Sequence, residues 1–159
     1  MFACIHGPGP LLDCARRVSP KVEEVSADTV LLDLRGLDRL LGAPDRAARA
    51  IAERSGPKAS VAVAANPDAA VHAARGLPGV TVISPGEESR ILGELPLELL
   101  PASPELQETF ALWGLRRFKD LAALPEPGVS QRLGPEGVRL QKLARGQGDR
   151  CLFAADPEE

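Results

Sequence analysis

Through the first part of the chain, short apolar runs alternate with stretches of helical spacing. Met1 to Ile5 reads as a strand, broken by Gly7-Pro8-Gly9-Pro10, because consecutive Gly and Pro punctuate any regular element. Leu11, Leu12, Cys14, Ala15 and Val18 then fall on one face of a short helix. Pro20 lies near the start of a strand ending about Val25, and Thr29 to Leu34 is β-branched and apolar enough to be buried. Pro44 suits the first turn of a helix running to about Arg54, with Ala47, Ala50 and Ile51 inward and Gly56-Pro57 as its stop. Ser60 to Ala64 predicts a buried strand, Asn66-Pro67-Asp68 opens a helix through Arg75, and Val80 to Ile83 forms the next strand. Pro85-Gly86-Glu87-Glu88 starts a further helix with acids in its first turn, where the helix dipole favours them. This order is an α+β layout with helices on a small sheet, for which a ferredoxin-like arrangement is the obvious candidate.

From Pro96 onward the strand signal is gone. Ser103-Pro104-Glu105 is an N-cap followed by Pro at the first helical position, and Trp113-Gly114 ends that helix with Gly at a left-handed site. Leu115, Phe118, Leu121 and Leu124 repeat every three residues before Pro125 breaks the run. Val129 and Leu133 mark a short helix stopped by Gly134, and Pro135 to Arg145 forms the last, with Val138 and Leu143 inward. The pattern therefore predicts an α+β domain over 1–95, a helical subdomain over 96–150 and a flexible tail over 151–159.

Composition narrows the function classes. Hydrophobic residues make up 44% and charged ones 26% of 159 residues, enough for a packed core. No apolar run approaches the roughly 18 residues of a membrane span, and no basic stretch precedes an apolar one as in a secretory signal, so a cytoplasmic protein is expected. Cys4, Cys14 and Cys151 lack metal-like spacing and read as reduced thiols, while His6 and His72 are too scattered for a metal cluster. No cofactor is expected. With no Tyr and one Trp, an aromatic base-stacking platform is not available, and Trp113 reads as a packing residue.

Charge divides the chain unevenly. Residues 112–150 hold eight basic side chains against four acids, whereas residues 1–111 hold eleven against fifteen. The basic surplus is thus confined to the helical part, either as a solvated face or as a surface for a polyanion.

Two stretches resemble Y-family translesion DNA polymerases. Val18 to Leu34, through Val25-Ser26-Ala27-Asp28-Thr29 and on to Asp33, resembles the palm signature Ser-Ile-Asp-Glu-Ala and the apolar strand ending in Asp. Leu112-Trp113-Gly114-Leu115-Arg116-Arg117-Phe118-Lys119-Asp120-Leu121 looks like the family's thumb, and Arg132 to Leu140 with Leu143-Ala144-Arg145-Gly146 continues it. Ser60 to Asn66 is similar to the strand before an Asn-Lys helix start, with Pro67 in place of the Lys. Pro85-Gly86-Glu87-Glu88 and Leu95-Pro96-Leu97 are particularly like the ImuB-like, catalytically inactive branch.

The resemblance implies a reduced ferredoxin-like palm followed by an all-α helix-hairpin-helix thumb. Active members hold two Mg²⁺ with carboxylates on the opening strand and in the Asp-Glu pair. Here those places read Cys4-Ile5-His6-Gly7-Pro8-Gly9, without an acid, and Asp28-Thr29. Only the interval from Gly7 to Val18 stands where the family carries its fingers, and Asp28 itself reads as a turn-former. The expectation is a non-catalytic accessory of translesion repair. Its thumb would hold DNA backbone through Arg116, Arg117, Lys119, Arg132, Lys142 and Arg145, weakly and without sequence preference. Pro101-Ala102-Ser103-Pro104 replaces the Gly-x-Gly of the family's first hairpin, removing backbone donors there. A sliding clamp, a RecA-like mutasome subunit and an error-prone polymerase are implied as partners, through regions beyond this chain. Two alternatives stay open: a ferredoxin-like protein-interaction module without DNA binding, and a residual metal-dependent nucleotidyltransferase using Asp28 with Asp33 or Asp38.

Overall fold

A computed structural model describes residues 1–148, so the expected tail over 151–159, Cys151 and the adjoining Asp149 and Arg150 lie outside the described residues. The strands are β1 (Phe2–His6), β2 (Val22–Ser26), β3 (Thr29–Asp33), β4 (Ser60–Ala64) and β5 (Val80–Val82). The helices are α1 (Leu11–Arg16), α2 (Asp38–Leu41), α3 (Pro44–Ser55), α4 (Pro67–Gly76), α5 (Glu88–Leu92), α6 (Pro104–Leu112), α7 (Phe118–Ala122) and α8 (Glu126–Ala144). A 3₁₀ turn spans Leu97–Leu99.

The sheet order is β2-β3-β1-β4-β5. β1 lies antiparallel between β3 and β4, and β2 pairs antiparallel with β3. The first four strands therefore have the split βαβ order expected of a ferredoxin-like sheet. α4 then carries the chain across to β5, which is parallel to β4.

Alternation along each strand divides the side chains between two cores. Phe2, Cys4, Leu31, Ala62 and Ala64 face one, while Ala3, Ile5, Val30, Leu32, Val61 and Val63 face the other. α1 and α3 cover the second face with Leu11, Ala15, Ala47, Ala48 and Ile51. α4 covers the first, and Leu92, Leu95, Phe110, Phe118, Leu121 and Leu140 pack in the same cluster. With both faces covered, the strands can be apolar throughout, as the unbroken run of β3 requires.

Some expectations shift in detail. Ala48, not Ala50, is fully buried on α3, and Ala50 is half-buried at the edge of the contact. The three-residue repeat from Leu115 to Leu124 yields a helix only from Phe118 to Ala122. Leu115 and Leu124 are half-buried in the flanking turns, because a spacing of three suits a single helical turn and its two shoulders. Gly134, at φ 71° and ψ −163°, breaks α8 into the two segments that Gly134-Pro135 predicts. A side chain is strained at that backbone conformation, so glycine is needed there. Leu140 and Gln141 are fully buried, and Val138 is half-buried. Trp113 keeps 39% of its surface exposed, since it lies at the end of α6 beside a turn.

Candidate nucleic-acid interface and the carboxylate position

The end of β1 and the start of β3 meet in register, His6 opposite Thr29. The tight turn at Ala27-Asp28 brings the Asp28 carboxylate to the same spot. Asp28 Oδ1 accepts from Ser26 Oγ at 2.8 Å and Thr29 Oγ1 at 3.0 Å, and His6 Nδ1 lies 3.0 Å from Thr29 Oγ1 and 3.8 Å from Asp28. The Ser26 and Thr29 hydroxyls, then the nearby His6 ring, hold the Asp28 carboxyl below its ordinary range.

Arg75, at the end of α4, completes the group. Its Nε donates to Thr29 Oγ1 at 3.2 Å and its Nη2 to Ser26 Oγ at 3.1 Å. Sequence reading does not single out Arg75. The available signal is its spacing, one turn beyond the buried Val71 and His72, which turns it toward the sheet.

This is the place where the family resemblance expects the metal-holding carboxylates. The residues do not fit a pair of Mg²⁺ ions: one carboxylate is present, its Oδ1 accepts two hydroxyls, and a guanidinium stands in the same group. Asp33 lies at the far end of β3 and forms a paired contact with Arg35, Nη2 to Oδ2 at 2.7 Å. Asp38 opens α2. Neither comes into the Asp28 group. Between β1 and α1 the chain crosses directly from Gly7 to Pro10, and a Cβ at Gly7 would stand 2.9 Å from the Ala59 backbone.

The expected cationic residues sit on the helical part. Arg116 and Arg117 precede α7, and the Asp120 carboxylate accepts their backbone N–H groups at 2.9 and 3.0 Å. Those two N–H donors are the leading cause of a lowered Asp120 pKa. Glu94, following α5, draws two of the side chains together: Lys119 Nζ lies 2.8 Å from its Oε1, and Arg117 Nη1 pairs with Oε2. Lys119 first, then Arg117, hold the Glu94 carboxyl below its usual range. Arg116, Arg117 and Lys119 are exposed and form one cluster around the α7 start.

The remaining three are dispersed. Arg132 is exposed on the first segment of α8 and borders a shallow hollow of about 360 Å³ with Trp113, Leu124, Pro125 and Val129. Lys142 is exposed on the second segment, beside Pro135, Val138 and Gln147. Arg145 turns inward, donating from Nη2 to Ala122 O at 2.8 Å and from Nε to the same carbonyl at 3.1 Å. It thereby caps the carbonyl end of α7. Gln141 does similar work from a fully buried site, giving Nε2 to Leu121 O at 3.0 Å and Leu124 O at 2.8 Å.

At the hairpin before α6, Ser103 Oγ caps the helix by accepting Leu106 N–H at 3.2 Å, and Gln107 Nε2 donates to Leu97 O at 3.2 Å. Asn66 caps α4 through Ala69 N–H at 3.2 Å and also donates to Gly148 O, joining α4 to the chain that follows α8. Among the described residues, no helix is long and apolar enough to cross a membrane.

No family profile matches the chain. It is 32% identical over 151 residues to a DNA polymerase IV of Caulobacter vibrioides, covering 90% of this chain and 37% of that protein. Against Protein ImuB of the same species it is 29% identical over 152 residues, covering 92% of this chain and 33% of the relative. Among solved structures, DinB from Sulfolobus solfataricus superposes with a TM-score of 0.63 at 20% identity, over 91% of this chain and 45% of that one. The chain thus spans little more than a third of the length of the curated relatives it matches. With sequence relatives named DNA polymerase IV and ImuB, and the fold of the DinB structures, the chain is a Y-family polymerase-like protein, ImuB-like members among its homologues.

Proposed function

We propose that this chain is a non-catalytic homologue of Y-family polymerases that serves translesion DNA repair as an accessory. In this reading, residues 1–95 are a palm reduced by loss of the fingers, and residues 96–150 are a helix-hairpin-helix thumb that touches DNA backbone. Arg75 is the observation that carries the reading. A guanidinium donating to Thr29 and Ser26 puts positive charge where two divalent cations would have to bind, and Asp28 alone cannot offset both.

The DNA part of the proposal rests on the exposed cluster of Arg116, Arg117 and Lys119, with the exposed Arg132 and Lys142 as separate cations on the two segments of α8. Solved Y-family neighbours include one titled as a ternary complex of Dbh, which supports a polyanion partner for this fold. Few phosphates can be neutralised by so small a group, so affinity is modest and falls steeply with salt. Clamp, RecA-like mutasome subunit and error-prone polymerase are the partners this reading brings with it.

The test is a fluorescence-anisotropy titration with primer-template DNA at low and physiological salt, with and without Mg²⁺, beside a primer-extension assay. The expected result is salt-sensitive, Mg²⁺-independent binding that is lost in R116E/R117E/K119E, and no extension. Extension that depends on Asp28 would overturn the non-catalytic reading. Absence of binding even at low salt would favour the second reading, a protein-interaction module without DNA contact. Glu94 and the α7 carbonyls support that second reading, since they already engage Arg117, Lys119 and Arg145.

A further inference from the structure

The other side of the sheet carries a second cationic site, built by α1, α2 and α3. Arg46, Ala50 and Arg54 stand four residues apart and so line one face of α3. Arg17 and Val18 approach from the end of α1, and Leu40 and Leu41 from α2, enclosing a pocket of about 430 Å³. α1 is fastened to α3 there, with Cys14 Sγ donating to Arg54 O at 3.4 Å. Arg17, Arg46 and Arg54 are exposed, no carboxylate lines the pocket, and none of the three makes an ion pair among the described residues. Leu40 is 83% exposed, the most exposed of the large hydrophobic residues described.

Three unpaired guanidiniums around an apolar floor cost the protein something to keep, through mutual repulsion and exposed hydrocarbon. A ligand that supplies both missing complements relieves both. We propose that this pocket docks an acidic, apolar segment of a partner protein. An apolar side chain of that segment sits over Ala50 between Leu40, Leu41 and Val18, and flanking carboxylates pair with Arg46 and Arg54.

The spacing defines the segment further. Eight residues of helix separate the two arginines by about 12 Å along α3. An extended peptide with carboxylates four residues apart spans about 13 Å. An acid-x-x-x-acid strand with apolar residues between the acids therefore matches both ends at once. Nucleic acid suits the pocket less well, because its backbone has no apolar group to cover Leu40 and Leu41. The whole sheet also lies between this site and the Arg116–Lys119 cluster, so the two operate independently.

The experiment measures anisotropy of a fluorescein-labelled peptide, Glu-Asp-Leu-Phe-Leu-Asp-Glu, titrated with the full chain at low salt. Its neutral analogue, Gln-Asn-Leu-Phe-Leu-Asn-Gln, and a single-stranded oligonucleotide serve as comparisons. The proposal expects binding of the acidic peptide, weakened about tenfold or more in R46E/R54E and in L40D, and largely retained in R46K/R54K. All these positions are exposed, and circular dichroism of each variant verifies the fold. Failure of the acidic peptide to bind overturns the proposal, as does equal binding of the neutral analogue. An oligonucleotide that displaces the peptide and itself loses affinity in R46E/R54E overturns it in favour of a nucleic-acid site.

Discussion

Arg75 Nε lies 3.2 Å from Thr29 Oγ1, tying the last turn of α4 to the first residue of β3 across 46 positions of sequence. Thr29 is fully buried, so its hydroxyl has no water to replace that partner. Thr29→Val keeps the shape of the side chain and removes the oxygen, leaving Arg75 and His6 each short of one contact. The expected loss is about 1–2 kcal/mol in urea denaturation, with the slope of the transition unchanged. A neutral result would mean that the group is held together by Ser26 and Asp28 alone.

Acid sensitivity should report on Asp33. Its side chain is 4% exposed, Arg35 forms hydrogen bonds with both oxygens, and this pairing, with the Arg35 backbone N–H, holds the carboxyl below its ordinary range. Arg35 also lies over the Phe2 ring at 5.1 Å. Because the folded-state value is depressed, the stabilisation is complete above the unfolded value and drains away as pH falls through the folded one. Melting temperatures followed downward from neutrality should therefore decline below about pH 4. Asp33→Asn should be less stable at neutral pH and show a flatter decline in that window.

Gln141→Leu tests the seam between α7 and α8. The substitution keeps the volume nearly constant and leaves two carbonyls, of Leu121 and Leu124, without their shared donor. A cost of about 2–3 kcal/mol in chemical denaturation is expected, larger than for an exposed Gln on the same helix. Arg145→Met should weaken the same seam through Ala122, and the two effects should not add, since both act on one turn.

Glu94→Gln separates stability from DNA affinity. Exposed ion pairs contribute little to folding, so the melting temperature should hardly move. Lys119 and Arg117 lose their protein carboxylate, and primer-template affinity at low salt should rise by about threefold with a steeper salt dependence. Unchanged affinity would take those two side chains off the DNA surface.

The sheet was legible in the sequence because two signals coincided there: runs of Val, Ile and Leu for the strands, and Gly or Pro at nearly every boundary. Ser103 as a cap and Gly134 as a break are read from residue type alone, since few other residues satisfy those backbone positions. α2 and the 3₁₀ turn at Leu97–Leu99 escaped because elements of four and three residues are too short to show a period. The site was half visible. That Cys4 to Gly9 carries no acid and that Thr29 follows Asp28 can be read along the chain, and so can the basic surplus of the helical part. That Arg75 fills the gap, that Glu94 engages Lys119, and that Arg145 faces carbonyls depend on contacts across 20 to 50 residues, which only the folded chain brings about.

α4 meets the sheet and the later helices through Ala69, Ala70, Ala73 and Ala74, all essentially without exposed surface. Methyl groups bury little area, so this helix is held less by transfer from water than by the nearness that small side chains permit. Nearness of that kind has little tolerance: one added methylene has no void to enter and must push a layer outward. The alanines thus act as a spacer of fixed thickness, and they set how far Arg75 can reach toward Thr29. Drift in this protein should accordingly be accepted on the outer helices and refused along α4, where a larger residue would widen the gap and leave Arg75 short of its partners.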